Sequence, residues 1–186
     1  MIPINRIAIS TGGGDAPGLN AVIRSAVLAA RNRGWDVVGI RDGFNGLMFP
    51  EEYPGGGVIN LSRESVRGIS HLGGTIIGST NKGNPTAFPT QQEDGTWVEV
   101  DRTHELLERF KEAGIDALVT VGGDGSLAIG NHLFQHGLRV VGVPKTIDND
   151  LDKTHVTFGF DTAVDFATEC IDRLFVTATS HGRIIV

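Results

Sequence analysis

Three polar loops in this sequence follow apolar runs and carry residues that could do phosphate chemistry. They are TGGGDAPG (11–18), GGDGS (122–126) and PKTIDND (144–150). In α/β proteins, ligands bind where loops leave the carboxyl ends of parallel strands. Glycines let an anion approach backbone amides, and aspartates suit a divalent cation or a proton transfer. Together the three loops predict a site for phosphate groups.

We interpret the first loop as a phosphate-binding turn between a strand and a helix. Three consecutive glycines remove the Cβ atoms that keep an anion away from the backbone, and the helix start adds partial positive charge. The simpler alternative is a tight turn capped by Asp15. The loop is not a P-loop, because no GK[ST] follows, and not GxGxxG, because Pro17 occupies the last glycine position.

The second loop matches the dinucleotide fingerprint GxGxxA over 123–128, so an oxidoreductase is one alternative. The next apolar run, however, ends in Pro144 and Lys145 rather than in the acidic residue that would bind ribose hydroxyls. Asp124 would also repel a pyrophosphate unless a cation lay between them. Because Mg²⁺ held by Asp124 would bridge the two charges, nucleotide phosphates with Mg²⁺ fit this loop better than NAD.

The third loop contains a candidate general base. Asp148 and Asp150 are two residues apart, so both carboxylates point the same way if the backbone is extended. A carboxylate beside a substrate hydroxyl can accept its proton while the hydroxyl attacks phosphorus. The alternative is an Asx-turn, which Asp-Asn-Asp sequences commonly form. Next to GGDGS, the loop predicts the second half of a phosphoryl-transfer site.

Repeated strand–loop–helix units must position these loops. The apolar runs predict strands at 6–10, 35–40, 116–121 and 138–144, with a further strand in GGTIIGSTN (73–81). The 3.6-residue periodicity predicts helices at 19–34, 103–114, 127–137 and 160–179, whereas 42–57 is predicted to be loop from its Gly and Pro content. The last helix is predicted to face the core with Ala163, Phe166, Ala167, Cys170, Ile171, Leu174 and Phe175. This order predicts a mostly parallel sheet covered on both faces.

Composition narrows the class of protein. The 186 residues include 26 glycines and carry a net charge of −6, with no basic run, which argues against a nucleic-acid partner. No apolar run approaches the ~20 residues that cross a bilayer. The first ten residues do not resemble a signal peptide, and the single Cys170 suits a reducing compartment. We therefore predict a cytoplasmic location without membrane contact.

The loops and the segments around them resemble the phosphofructokinase family over essentially the whole chain. The matching segments, in order, are TGGGDAPGLNAVIR, DGFNGL, GGTIIGSTN, GGDGS, PKTIDND and IDRLFVTATSHGRIIV. The resemblance implies a Rossmann-like three-layer α/β sandwich. It also implies a glycolytic activity, in which MgATP, or pyrophosphate in one branch, phosphorylates the 1-hydroxyl of fructose 6-phosphate to give fructose 1,6-bisphosphate.

The resemblance implies a role for each matching position. Asp148 would take the proton of the sugar hydroxyl, with Thr146 and Asp150 lining the site beside it. Asp124 would bind Mg²⁺. The donor and its phosphates would lie against Gly13, Phe44, Gly125 and Ser126.

The chain departs from the family pattern at two places that concern the phosphoryl donor. Asn81 stands where many bacterial ATP-using members have an arginine that contacts phosphate, and Lys82 is the candidate substitute. Gly125 matches the ATP-using members, whereas Lys145 matches the pyrophosphate-using ones. Because lineages that combine GGDG with PKTIDND resemble ATP users, ATP is the predicted donor and pyrophosphate the alternative.

The resemblance also implies that this is a fragment of a two-domain protein. Residues 1–181 would form the nucleotide-binding domain and 182–186 the first strand of a missing sugar-phosphate domain. The family's MGR motif and most sugar-phosphate ligands lie beyond position 186, so the chain alone is expected to be nearly inactive. A homo-oligomer, dimer or tetramer, is expected at full length. Two other classes stay open: a different GGDG-type kinase, such as an NAD or lipid kinase, and a non-catalytic nucleotide-binding module.

Overall fold

A computed structural model describes residues 3–186 and contains one large sheet and one hairpin. The strands in chain order are β1 (Arg6–Thr11), β2 (Asp36–Ile40), β3 (Val58–Asn60), β4 (Phe88–Gln91), β5 (Trp97–Val100), β6 (Ala117–Gly122), β7 (Arg139–Thr146) and β8 (Phe158–Gly159). The large sheet has the order β3-β2-β1-β6-β7-β8, and all its pairs are parallel except β2 with β3. This confirms the prediction of a mostly parallel α/β sheet.

The helices connect these strands over the two faces of the sheet. They are α1 (Leu19–Asn32), α2 (Asn45–Met48), α3 (Thr103–Glu112), α4 (Asp124–Gln135) and α5 (Phe160–His181), with one 3₁₀ turn at Pro50–Glu52. Helix α1 buries Leu19, Ile23 and Val27, which repeat every four residues and so lie on one side of the helix. It stops before Gly34, whose φ of 78° suits a residue without a Cβ atom.

Two buried clusters, one on each face of the sheet, form the core. Helix α1 packs on the cluster that includes Ile7 and Ile9, whereas Ala8 belongs to the cluster that α3 and α4 cover. Successive side chains of a strand point to opposite faces, so β1 is buried on both sides. The chain therefore has the three layers that the sequence predicts.

Parallel pairing brings the three polar loops to one edge of the sheet. Strand β1 pairs with β6 up to Thr11 beside Val121, and β6 pairs with β7 up to Gly122 beside Pro144. Because all three strands run in the same direction, the loops that leave their carboxyl ends are neighbours. The β4–β5 hairpin is a separate two-stranded sheet that lies between β3 and α3 in the sequence.

Two local predictions are wrong. The segment 42–57, predicted to be loop, contains α2 and the 3₁₀ turn, because Leu47 and Met48 are buried against the core. The segment GGTIIGSTN, predicted to be a strand, forms turns. Its strand pairing is limited to one isolated bridge between Thr80 and Gly12, the residue that follows β1. Ile77 is nevertheless buried in the core. Its apolar character reflects packing under the sheet rather than strand pairing.

The prediction for the last helix is right in position and wrong in burial. Helix α5 has no buried residue, and the side chains of Phe166, Ile171 and Phe175 are 66%, 65% and 68% exposed. An apolar stripe becomes buried only where another layer lies against it. Residues 183–186 form no strand in this structure. The division into domains at 181 stays a prediction.

A helix that spans a bilayer must be both long and apolar. Within the described range 3–186, no helix is both long enough and apolar enough to span a bilayer.

Candidate active site

The converging loops enclose a cavity of about 330 Å³. One side is formed by the loops after β1 and β6, and the other by the segment Thr80–Pro85, which we call the 80–85 wall. Seven of the predicted site residues line the cavity: Gly13, Phe44, Asn81, Lys82, Asp124, Gly125 and Ser126. The structure thus brings together residues that lie more than a hundred positions apart in the sequence.

The start of helix α4 faces this cavity. The helix begins at Asp124, so most of the GGDGS motif is helical rather than loop as predicted. The first intrahelical bond runs from the Leu127 amide to the Gly123 carbonyl at 3.0 Å. The amides of residues 124–126 therefore have no acceptor within the helix, and the helix dipole points at the cavity. This arrangement suits an anionic group such as phosphate.

The glycines around this helix start serve two different purposes. A Cβ atom at Gly122 would lie 2.4 Å from Ser126 Cβ, and one at Gly12 would lie 2.4 Å from Ser126 Oγ. These glycines let Ser126 pack between the ends of β1 and β6. A Cβ atom at Gly125 would meet nothing within 4 Å. The protein's own packing therefore does not require glycine at 125, and a side chain there would extend into open space.

Backbone hydrogen bonds hold the glycine loop in place. The Gly12 amide donates to Val121 O, and the Gly13 amide donates to Thr80 O, both at 2.9 Å. Ser79 Oγ donates to Gly13 O at 2.6 Å. These bonds join the glycine loop to β6 and to the 80–85 wall. Since the Gly13 amide already has an acceptor, Gly13 contributes shape to the cavity rather than a free donor.

Lys145 connects the glycine loop to β7. The strand continues to Thr146, so Lys145 lies within it and is only 5% exposed. Its Nζ donates to the carbonyl oxygen of Gly14. Burial lowers the pKa of Lys145, while the carboxylates of Asp15 and Asp148 act in the opposite direction. Lys145 therefore lies next to the cavity and does not line it.

The acidic loop that follows β7 is tied back by threonine and asparagine side chains. Thr146 Oγ1 accepts a hydrogen bond from the Asp148 amide at 3.1 Å, and Thr157 Oγ1 donates to Thr146 O at 2.7 Å. Asn149, whose φ is 52°, accepts from the Thr157 amide at 3.1 Å. The side-chain acceptors that hold this turn thus belong to Thr146 and Asn149 rather than to an aspartate. Asp148 and Asp150 are exposed and stand outside the cavity lining.

A metal ion at this site would depend on ligands other than the protein. Among residues 3–186, no group of three or more His, Cys, Asp or Glu side chains could hold an ion. Asp124 offers one exposed carboxylate at the helix start beside the cavity. Mg²⁺ commonly binds through one or two carboxylates together with substrate phosphates and water. The residues present fit a magnesium ion that arrives with a nucleotide.

Sequence reasoning missed several residues that line the cavity. Ser10 and Thr120 are buried near the ends of β1 and β6, and Ser10 Oγ donates to Gly43 O at 3.0 Å. A polar residue at the end of an apolar strand was the available signal. Most of the other lining residues lie in the motifs quoted above or on α4. Gly83, Asn84 and Pro85 of the 80–85 wall lie in no quoted motif.

Comparison with known proteins gives a consistent result. The family model described as Phosphofructokinase matches residues 6–186. The chain is 49% identical to "ATP-dependent 6-phosphofructokinase 1" of Synechocystis sp. and 47% identical to "ATP-dependent 6-phosphofructokinase 2" of Clostridium perfringens, covering 100% of this chain and 50% of each relative. It is 45% identical to "Pyrophosphate--fructose 6-phosphate 1-phosphotransferase" of Amycolatopsis mediterranei, covering 97% of this chain and 48% of that one.

The fold comparison agrees with the sequence comparison. The solved structure of phosphofructokinase from Saccharomyces cerevisiae superposes with a TM-score of 0.73 at 30% identity, covering 96% of this chain and 25% of that one. The chain spans about half the length of the curated relatives it matches.

Proposed function

Because the chain belongs to the phosphofructokinase family, we propose that the protein of which it forms part transfers a phosphoryl group from MgATP to the 1-hydroxyl of fructose 6-phosphate. One observation carries this proposal. The cavity at the start of α4 suits the phosphates of a nucleotide, and the strand next to it leads directly into an exposed loop that contains Asp148. A donor site and a candidate base are thus adjacent.

The cavity would hold the nucleotide. The free amides at the start of α4 would bind its phosphates, and Lys82 would add a positive charge from the 80–85 wall. Asp124 would hold Mg²⁺, which when bound neutralises charge on the transferring phosphoryl group. Phe44 and Ile129 provide the apolar part of the lining, which suits the flat face of a base. Asn81 and Ser126 complete the polar part.

The acidic loop would receive the sugar phosphate. Asp148 is exposed, so a substrate hydroxyl can reach its carboxylate without displacing a protein donor. Asp148 would take the hydroxyl proton as the oxygen attacks the γ-phosphorus, a contribution typically worth ~10²–10⁴ in rate. Thr146 holds the backbone of Asp148, and Asp150 would lie beside the same hydroxyl.

ATP is favoured over pyrophosphate as the donor. Gly125 leaves open space where the nucleotide would pass, and Lys145 is bonded to the glycine loop rather than pointing into the cavity. Relatives named as ATP-dependent at 47–49% identity support this choice. Pyrophosphate is the second candidate, because a relative at 45% identity is named for it.

The test uses the full-length parent protein with fructose 6-phosphate and compares MgATP with Mg-pyrophosphate, measuring fructose 1,6-bisphosphate. We expect turnover with MgATP, and the same preference in a Lys145→Gly variant. Turnover with Mg-pyrophosphate alone would make Lys145 the deciding residue and the donor assignment wrong. No turnover with either donor would contradict the proposed function.

The 186-residue chain is expected to bind MgATP and to show almost no turnover. The reason is that the chain spans about half the length of its curated relatives, and binding energy from remote parts of the substrate supports the chemical step. Turnover by this chain at a rate near that of the full-length protein would contradict this. A homo-oligomeric state and a cytoplasmic location stay predictions.

A further inference from the structure

We propose that Arg102 is a positioning residue for the nucleotide: it fixes the 80–85 wall through the two phenylalanine rings against which it packs. The inference rests on the proposed function, because it assumes that this cavity binds the nucleotide. Arg102 lies just before α3 and does not line the cavity. It would therefore act through the wall rather than touch the ligand.

The Arg102 side chain is held on three sides. Its Cζ lies 5.1 Å from the centroid of the Phe49 ring and 4.8 Å from that of Phe88, within the range of cation–π contacts. The two ring centroids are 5.6 Å apart. Glu105 receives two hydrogen bonds from the guanidinium, Nε at 2.8 Å and an η-nitrogen at 2.7 Å. A planar fork held in this way has one preferred orientation.

This cluster lies directly behind the 80–85 wall. The Arg102 amide donates to the carbonyl of Pro85, the last residue of the wall, at 2.8 Å. A Cβ atom at Gly83 would lie 3.4 Å from Phe88 Cε2 and 3.0 Å from Asn45 Oδ1. The Phe88 ring therefore supports Gly83 from behind. A movement of this ring would therefore reach Asn81 and Lys82, which lie next to Gly83 in the wall and line the cavity.

The opposite end of the wall has a separate anchor. Thr80 O accepts from the Gly13 amide, and Thr80 Oγ1 accepts from the Lys82 amide at 3.0 Å. The wall is thus joined to the glycine loop at one end and to the Arg102 cluster at the other. Replacing the Arg102 side chain keeps the backbone bond to Pro85 O and removes only the contacts with the Phe49 and Phe88 rings behind the second end. We therefore expect a looser nucleotide site on an otherwise folded domain.

Helix α3 offers a matched control in a second arginine–glutamate pair. Arg109 contacts Glu112 at 3.2 Å with i,i+3 spacing, the same spacing as Arg102 with Glu105. Unlike Arg102, Arg109 makes no ring contact among the described residues. An effect that comes only from losing a helix ion pair should therefore appear equally in both variants.

The experiment compares Arg102→Met, Arg102→Lys and Arg109→Met in the full-length protein. Calorimetry measures the Kd for MgATP without an acceptor, and kinetics give the KM values for MgATP and fructose 6-phosphate. For Arg102→Met we expect the Kd and KM for MgATP to rise on the order of tenfold, because misplaced binding groups lose most of their contribution. The KM for fructose 6-phosphate and all constants of Arg109→Met should stay within about twofold of the parent.

Arg102→Lys keeps the positive charge over the rings and loses the fork, so it should recover part of the MgATP affinity. It also provides a folded variant if Arg102→Met does not fold. An unchanged MgATP affinity in both Arg102 variants would overturn the inference. So would a rise in both KM values together with a lower melting temperature, which indicates general loosening.

These outcomes are distinguishable from failure of the proposed function. If the parent binds MgATP but does not phosphorylate fructose 6-phosphate, the proposed function is wrong, while the calorimetric comparison still decides the role of Arg102.

Discussion

The cavity and the acidic loop differ in how completely this chain builds them. Around the cavity, the polar side chains of Ser10, Thr11 and Thr120 are at most 1% exposed, and the glycine loop is bonded on two sides. In the acidic loop, the side chains of Asp148 and Asp150 are exposed, and hydrogen bonds hold only the Asp148 backbone and the Asn149 side chain. The difference shows that the donor side of the proposed site is preorganised here, whereas the acceptor side is an open edge.

The two regions also differ in what supports them. The cavity is built on β1 and β6, whose side chains are buried in two clusters on opposite faces of the sheet. The acidic loop leads through the short β8 into α5, which has no buried residue. This contrast agrees with a chain that spans about half the length of its curated relatives. Three substitutions test it.

The largest effect is expected on the open side. Asp148→Asn in the full-length protein should lower kcat by ~10²–10⁴, because the amide cannot accept the hydroxyl proton. The Kd for MgATP should stay within about twofold of the parent, since Asp148 does not line the cavity. Steady-state kinetics and calorimetry give the two quantities.

Asp152→Asn is the matched control for this substitution. Asp152 is exposed in the same loop, and its carboxylate accepts from the Lys153 amide. It should leave kcat within about twofold of the parent. If Asp148→Asn instead abolishes MgATP binding, Asp148 belongs to the preorganised side and the comparison between the two regions is wrong.

An intermediate effect is expected on the cavity side. Gly125→Val would place a side chain in open space, so the free energy of unfolding should change by no more than ~1 kcal/mol. The Kd for MgATP should rise at least tenfold, because the side chain occupies space at the start of α4. Urea unfolding and calorimetry on the 186-residue chain measure both.

Gly73→Val is the control, since a Cβ atom there also meets nothing within 4 Å and Gly73 lies outside the cavity. Gly73→Val should leave both the free energy of unfolding and the Kd for MgATP close to those of the parent. An affinity for MgATP that survives Gly125→Val would show that the nucleotide does not use this part of the cavity.

The smallest effect is expected at Lys145, where the two regions meet. Burial lowers the pKa of Lys145, so the folded chain releases this proton at a lower pH than the unfolded chain. In the window between the lowered pKa and the usual 10.5, the unfolded state binds more protons, and stability therefore rises with pH. This gain is ~1.4 kcal/mol for each unit of lowering.

Lys145→Met removes the titrating group, so the parent should gain stability relative to this variant as the pH rises through that window. Urea unfolding of both proteins at neutral and alkaline pH measures the difference. If the free energies of unfolding of the two proteins change with pH in the same way, folding does not shift the pKa of Lys145.

Much of the fold could be predicted because its signals are local. The apolar run at 6–10 and the periodic spacing of Leu19, Ile23 and Val27 specify β1 and α1 without knowledge of the rest of the chain. Two predictions, the strand around Ile77 and the inward-facing side of Phe166, are wrong for the same reason. Apolar character shows that a residue can be buried, and the partner decides whether it pairs, packs or stays exposed.

The same division holds for the site. The sequence by itself predicted the candidate residues and their class, because glycines and aspartates clustered after apolar runs suit phosphate groups and a divalent cation. Only the tertiary structure decided that Asp124 lines the cavity and Asp148 does not, that Lys145 bonds a residue 131 positions away, and that Arg102 packs on the rings of Phe49 and Phe88. These facts depend on contacts between distant segments, which parallel strand pairing creates and which no local pattern encodes.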